Sequence, residues 1–474
     1  MSNLCSGWCN PRWRPSTNSL KTITNPFYPN KNKTMRLLLP SLFTVLILAP
    51  ATWAEDTLDT QLTTSVASVL DTGDTIPFDA LNSQARTLEQ SLSIAARHPQ
   101  IEVTEAQREQ ARGNLKSAKA SRWFTLSGDA ELGLQAYDEE DTLGNNQTGT
   151  AGVGSLGLSF NQPLVDGGRR KGAVKSAEEQ LSGRIENVAW QQRLRRYVAA
   201  QAHINLWLAQ ELVRNNADNV SQLEKIVTEV HGRLQHGEST KTEVAEAEAR
   251  LATARAVQSE RVAALGNAQS AYLRDVGEAA TTVEAPGDGT EANTTPSNMP
   301  HPLLVAAQHK IEEAGGNVQQ NEAGYWPTLD LRGRASHNAF AGSNRESDAS
   351  QAQMTLNLGY TFVDHGVVAG QTSAARAAKK ATEAEYQNLK LEIEAARINA
   401  ESNVTESQRR LEESTRARKE SDKVITNLED EVRQGNRTLR DLLDARRDQL
   451  ASSNAWAQAY ANRSLSNYDL ERWR

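Results

Sequence analysis

Cysteine is almost absent: the 474 residues contain two, Cys5 and Cys9, and no others follow them. A disulfide scaffold is therefore excluded for nearly the whole chain, and a lone Cys-x3-Cys pair is a weak metal or redox signal. Aromatics are scarce at 5%, apolar residues reach only 38%, and mean hydropathy is −0.60. That is thin material for a large globular core or for the buried pocket an enzyme needs. Prolines number only 14. Positive charge is not in excess: the formal charge is −7, and basic residues alternate with acidic ones, so there is no electrostatic case for nucleic acid. The most apolar run, Leu37 to Ala49, is too short for a spanning helix.

What is present begins with an address. From Met35 the chain reads MRLLLPSLFTVLILAPATWAED, an apolar core followed by small residues, with Ala54 the expected last residue before cleavage. Residues 1–34 read as an overextended N-terminus, 35–54 as a signal peptide and 55–86 as a polar, irregular leader. No cysteine follows the signal to carry a lipid anchor.

Beyond residue 86 the chain is written twice. PLVDGG, with Asp166 and Gly168, returns as TFVDHG, with Asp364 and Gly366; Asp364 lies 198 positions after Asp166, and Gly435 lies 198 after Gly237. The pair Trp123-Phe124 returns near Tyr325-Trp326, and His98-Pro99 returns as His301-Pro302, both 203 positions on. This is the spacing of a duplicated half, not of a solenoid. The expected repeats are 87–277 and 301–474, joined by a Pro-, Gly- and Thr-rich linker over 278–300.

Each repeat changes period in the same order. A short helix gives way to alternating runs: Phe124, Leu126, Gly128, Ala130, Leu132 and Leu134 return on Leu156, Leu158 and Phe160, and Met354, Leu356, Leu358, Tyr360 and Phe362 alternate with polar residues. These predict β-hairpins over 123–165 and 326–363, each run about the ten residues that a tilted strand needs to cross a bilayer. The segments YDEEDTLGNNQTGTAG and HNAFAGSNRESDASQ are expected as polar loops. Trp123, Phe124, Tyr325, Trp326, Tyr360 and Phe362 are expected at the membrane interface. A soluble hairpin with one wet face is the rival reading.

After each VDGG-type corner the period returns to helical, over 167–276 and 366–470. Val220, Leu223, Val227, Val230 and Leu234 step by threes and fours, as do Tyr386, Leu389, Ile393, Ala396 and Ala400. A helix from about Gly168 to Gln235 would extend roughly 100 Å. Gly237 and Gly435 stop the two helices, and Ser239, Thr240 and Thr438 are placed to start the returning ones. Asp166 and Asp364 read as N-caps of the long helices. The loop VDGGRRKG lacks the spacing of a phosphate-binding loop, and the histidines are scattered, so no catalytic, cofactor or metal site is expected.

Four strands cannot close a barrel, and open sheet edges do not survive in lipid. Chains must pool strands, and three chains would give twelve and leave a passage. In the order of these paired segments the chain resembles the TolC-like outer-membrane channel proteins of bacterial efflux and type I secretion, over about Thr87 to the C-terminus. The resemblance implies a mainly α protein with membrane β: four strands per chain in a homotrimeric twelve-stranded outer-membrane barrel, continued by an antiparallel coiled-coil tunnel in the periplasm. It implies partners too, namely a periplasmic adaptor (membrane fusion) protein and an inner-membrane pump or ABC exporter. By matching position, adaptor docking falls on the tips at Gly237, Glu243, Gly435 and Asp441, with Glu243 where the family commonly has Asp. A periplasmic coiled-coil adaptor or scaffold without a pore is the alternative, and the hairpins discriminate against it.

Overall fold

A computed structural model describes residues 85–140, 146–287, 300–342 and 346–474. The expected overextended start, the signal peptide and all but the end of the leader lie outside the described residues. The first repeat opens with α1 (Leu88–Ala95), started by a reciprocal cap between Thr87 and Gln90. Next comes α2 (Pro99–Ala120), where His98 is the N-cap and its ring accepts from the Gln100 amide. Proline at the first helical position gives up a donor that would be unsatisfied anyway, so His98-Pro99 begins a helix as well as ending one. Strands β1 (Thr125–Glu140) and β2 (Asn146–Val165) follow, then α3 (Arg169–Gln235) and α4 (Lys241–Val276). The second repeat gives α5 (Pro302–Glu322), a 3₁₀ turn (Ala323–Tyr325), β3 (Thr328–Gly342), β4 (Glu346–Gly359), α6 (Val367–Arg433) and α7 (Leu439–Trp473).

The four strands form one antiparallel sheet in the order β1-β2-β3-β4. They lie within the predicted hairpins, 123–165 and 326–363, but run on into the segments expected as loops. Tyr137–Glu140 pairs with Asn146–Gly149, and Ala339–Ala341 pairs with Glu346–Asp348, so most of the two segments expected as loops is strand. The ladder is made by backbone groups, which propagate in register through polar residues once an antiparallel partner is aligned. Side-chain polarity therefore ended the strands too early.

Helices α3 and α6 are each 67 residues long, about 100 Å at 1.5 Å per residue. Each folds back on its return partner, α3 on α4 and α6 on α7, while α5 lies between α3 and α6. The predicted seams face these contacts: Leu223 and Val230 are buried, as are Ile393 and Ala400. The crossing of α3 and α5 depends on having no side chain at one point. A Cβ on Gly172 would lie 2.7 Å from the Gly316 carbonyl, and one on Gly316 would lie 2.7 Å from the Ser176 amide.

The principal core lies midway along α3. Ile204, Leu206 and Trp207 pack with Leu88 of α1, Tyr272 and Val276 of α4, and Ala461 and Tyr468 of α7. The segment after α4, expected as linker, is built into this core over residues 280–287. Ala280 and Val283 are buried, Arg86 bridges Val283, Tyr460 donates to the Pro286 carbonyl and Ser464 to that of Gly287. Its free amide and carbonyl groups find partners on three helices, which a solvated linker would not need. A second apolar cluster near the far end joins Leu223, Ile226, Val244 and Leu251 to Val432, Leu442 and Leu443, so both hairpins of helices share it.

The strap is held by a buried polar chain. The Tyr272 hydroxyl lies 2.7 Å from Ser91 Oγ, which lies 2.9 Å from His203 Nδ1, and His203 Nε2 donates to the Glu284 carbonyl at 3.0 Å. His203 is fully buried, and burial, opposed by the Glu284 bond, lowers its pKa from 6.5 to about 4. The unfolded chain thus takes up a proton at pH values where the folded one stays neutral. Stability from this group is complete above pH 6.5 and is lost as pH falls from 6.5 through 4, by on the order of 3 kcal/mol. Thermal unfolding followed by circular dichroism at pH 7.5 and 4.5 should show a smaller acid loss for His203→Gln than for the wild type, although the variant starts lower. Equal losses would remove His203 as the cause.

Candidate functional site

Three places carry the predicted functional residues: the sheet, the two joints below it and the two tips at the far end of the helices. On the sheet, cross-strand registers put Leu126 opposite Phe160, Phe160 opposite Gly333 and Gly333 opposite Met354, so even positions of β1, β2 and β4 share a face with odd positions of β3. That face carries Leu126, Leu132, Leu134, Leu156, Leu158, Met354, Leu356 and Leu358, between 56% and 91% exposed. An apolar patch of this extent is not left to water. The opposite face carries Asp129, Glu131, Ser155, Ser159, Arg332, Arg334 and Asn338. There Ser127 and Ser159 share a hydrogen bond of 2.7 Å, and a Cβ on Gly157 would strike the Asp129 carboxylate. The outer edges of β1 and β4 have no partner among the described residues.

The six predicted interface aromatics gather at one rim, where the sheet meets the helices. Trp123 and Phe124 immediately precede β1, Tyr325 and Trp326 precede β3, and Tyr360 and Phe362 follow β4. All are exposed. Phe124 packs on Phe160 with ring centroids 5.3 Å apart, and Tyr360 meets Phe362 edge-on at 4.9 Å.

At the joints, Gly168 and Gly366 are the N-cap residues, with φ of 91° and 89°, a left-handed conformation open to glycine at little cost. The carboxylates sit two residues earlier than expected of an N-cap but do the same work. Asp166 accepts from the amides of Gly168 (3.1 Å) and Arg170 (2.8 Å). Asp364 accepts from those of Gly366 and Val368, each at 2.9 Å. Partial burial opposes ionisation of Asp166, yet the bonds from Arg170 and Gly168 hold its carboxyl below the usual range. Amide bonds from Val368 and Gly366 do the same for Asp364. Only the first joint adds a guanidinium, Arg170 Nε, at 2.8 Å.

The tips are twins in detail. Gly237 and Gly435 have φ of 77° and 79°, and the amides after them, Glu238 and Asn436, bond back to the carbonyls of Arg233 and Glu431. Thr240 caps α4 and Thr438 caps α7, each in a reciprocal box with the acid three residues on. Glu243 and Asp441, singled out for docking, therefore spend carboxylate oxygens on their own helix starts. The Thr240 amide, then Ser239 and the Thr240 hydroxyl, lower the Glu243 pKa; the Thr438 side chain and then its amide lower that of Asp441. These boxes were legible as Thr-x-x-acid spacing. The Arg170 clamp and the Gly172–Gly316 crossing were not, because their partners lie outside any local pattern. Among the described residues no group of three or more His, Cys, Asp or Glu is placed to hold a metal, and no helix is long and apolar enough to cross a membrane.

If the boxes hold the tips, Thr240→Ala and Thr438→Ala should each cost about 1 kcal/mol locally. Amide hydrogen exchange over residues 237–247 and 435–445 is then expected to quicken about fivefold with the sheet unaffected. Unchanged exchange would assign tip rigidity to packing alone.

The family model described as outer membrane efflux protein matches residues 55–274 and 300–472. The chain is similar to the outer membrane efflux protein BepC of Brucella suis biovar 1 (strain 1330), 24% identical over 325 residues, 67% of this chain and 71% of that one. Its fold is similar to that of a membrane protein from Pseudomonas aeruginosa, with TM-score 0.72, 18% identity, and coverage of 81% of this chain and 92% of that one. It is also similar to the Campylobacter jejuni CmeC outer membrane channel, with TM-score 0.71, 14% identity, and coverage of 81% and 85%.

Proposed function

The chain belongs to the outer membrane efflux protein family, whose members are channels of the bacterial outer membrane and not enzymes, and from that membership we propose that it is one subunit of a trimeric export channel. The observation that carries the proposal is the sheet: four strands of 14 to 20 residues with one apolar and one polar face, joined directly to two 67-residue helices. In lipid the edges of β1 and β4 must be paired. Three copies joined edge to edge make twelve strands, with the leucine face toward lipid and the Asp129–Arg334 face toward a water-filled lumen.

The helices support the same assembly. Helix α3 buries fifteen residues within the chain and α6 only six, so α6 keeps a long face, with Leu391 and Ile398 exposed, for a neighbouring subunit. The tunnel so formed would end at the Gly237 and Gly435 tips, where a periplasmic adaptor on an inner-membrane pump or ABC exporter would dock. A pore-free coiled-coil adaptor has no use for the apolar sheet face, and no feature of the structure favours it.

Two measurements test this. The detergent-solubilised protein should run as a heat-sensitive trimer and conduct ions in planar bilayers; a protein released from envelopes by carbonate as a soluble species would overturn the channel. Gly237→Pro together with Gly435→Pro demands φ near −65° where the chain has about +78°. That double variant is expected to assemble and conduct but to lose export, and undiminished export would remove the tips from docking.

A further inference from the structure

Duplication supplies an internal control for every side chain near a joint. In the register of Asp166 on Asp364, Arg169, Arg170 and Lys171 fall on Val367, Val368 and Ala369. In the register of Trp123 on Trp326, Lys116, Lys119 and Arg122 fall on Gln319, Glu322 and Tyr325. The basic residues of the first joint thus have no basic counterparts, yet the two long helices begin alike and have equal length. The fold does not require these cations.

Two of the six are satisfied within the chain, Arg170 by Asp166 and Lys119 by Glu178. The other four do not pair. Lys116, Arg122, Arg169 and Lys171 are exposed, and among the described residues their side chains make no hydrogen bond or ion pair. Arg169 and Lys171 stand in the first turn of α3, at the positive end of the helix dipole and with no acid in that turn, where a cation is disfavoured. The patch is nevertheless held together. Gln162 donates to the Arg122 carbonyl at 3.3 Å, and the 3.0 Å Lys119–Glu178 pair ties the last turn of α2 to α3. Lys171 precedes Glu178 by seven residues, which puts it on the same side of α3. Immediately beyond the patch lie the exposed side chains of Trp123, Phe124, Leu164 and Val165, continuous with the strands β1 and β2.

We propose that this patch binds the phosphate-bearing headgroups of anionic phospholipids in the periplasmic leaflet, with Lys116, Arg122, Arg169 and Lys171 as the cations and Trp123 at the acyl boundary. The proposal rests on the membrane placement of the sheet given above. Its warrant is complementarity: unpaired positive charge borders an exposed apolar band, the arrangement that meets an anionic bilayer surface, where each basic residue contributes about fivefold in binding. The second joint, with Val367, Val368 and Ala369, offers no such charge. Lipid recognition is therefore asymmetric within each chain.

The test uses the full chain reconstituted in phosphatidylcholine vesicles with or without phosphatidylglycerol, reading tryptophan quenching by brominated forms of each lipid. At low salt the wild type is expected to select phosphatidylglycerol. The quadruple variant Lys116→Gln, Arg122→Gln, Arg169→Gln, Lys171→Gln should lose that selection by at least about fivefold, as high salt should for the wild type. Arg376→Gln with Lys379→Gln, cations of the second repeat already paired with Glu322 and Glu383, should leave it unchanged. Equal selection by wild type and quadruple variant would overturn the proposal, as would competition by soluble glycerol phosphate as strong as that of the lipid. So would collapse of the quadruple variant's trimer in zwitterionic detergent, since the cations would then serve a neighbouring subunit. Absence of quenching by either lipid would instead overturn the membrane placement itself.

Discussion

Backbone hydrogen bonding in a medium without water is the constraint on which the rest of this molecule depends. A strand in lipid must pair both of its edges, and this chain makes a sheet with two edges left over. The polar face, with Asp129, Glu131, Arg332 and Arg334, needs water as firmly as the leucine face excludes it. A closed, multi-chain cylinder of the kind proposed would satisfy both demands. The long helices inherit that geometry, because each begins within a few residues of a strand or its rim and must leave the sheet in a set direction.

The joint sets that direction with few atoms. A left-handed glycine turns the chain, and one carboxylate gathers two amides of the first turn at both Asp166 and Asp364. Below it, helices as long as α3 and α6 cannot be stabilised by propensity alone and rely on packing along a narrow seam. The chain concentrates that packing at two stations, one around Ile204, Trp207, Tyr272 and Tyr468 and one near the tips. The long face of α6 that carries Leu391 and Ile398 stays exposed within the chain.

Duplication shows what the architecture requires and what it tolerates. His98 and His301 each accept an amide of the helix they start and reach a carbonyl of the returning helix in their own repeat, Arg274 and Arg472. The capping boxes, tip glycines and joint carboxylates also recur. These are the parts that geometry demands twice. Among the described residues the strap over residues 280–287 and the His203 chain occur once, where one segment leads from the first repeat toward the second.

Most of the architecture was legible from local pattern. The period change from 3.6 to 2 located the hairpins, the heptad seams located the long helices, and Gly237 and Gly435 with the capping Ser239, Thr240 and Thr438 located the tips, since each of these signals acts between residues close in the chain. The sequence misjudged how far the strands extend, because polar residues such as Asn146 and Thr148 are drawn into the ladder by the partner strand. It also read 278–300 as a Pro-, Gly- and Thr-rich linker, without the signal that Val283 and Pro286 are buried. Tertiary structure alone decided the Gly172–Gly316 crossing and the burial of His203. In each, residues far apart in sequence meet, and their energies depend on distances that no local pattern encodes.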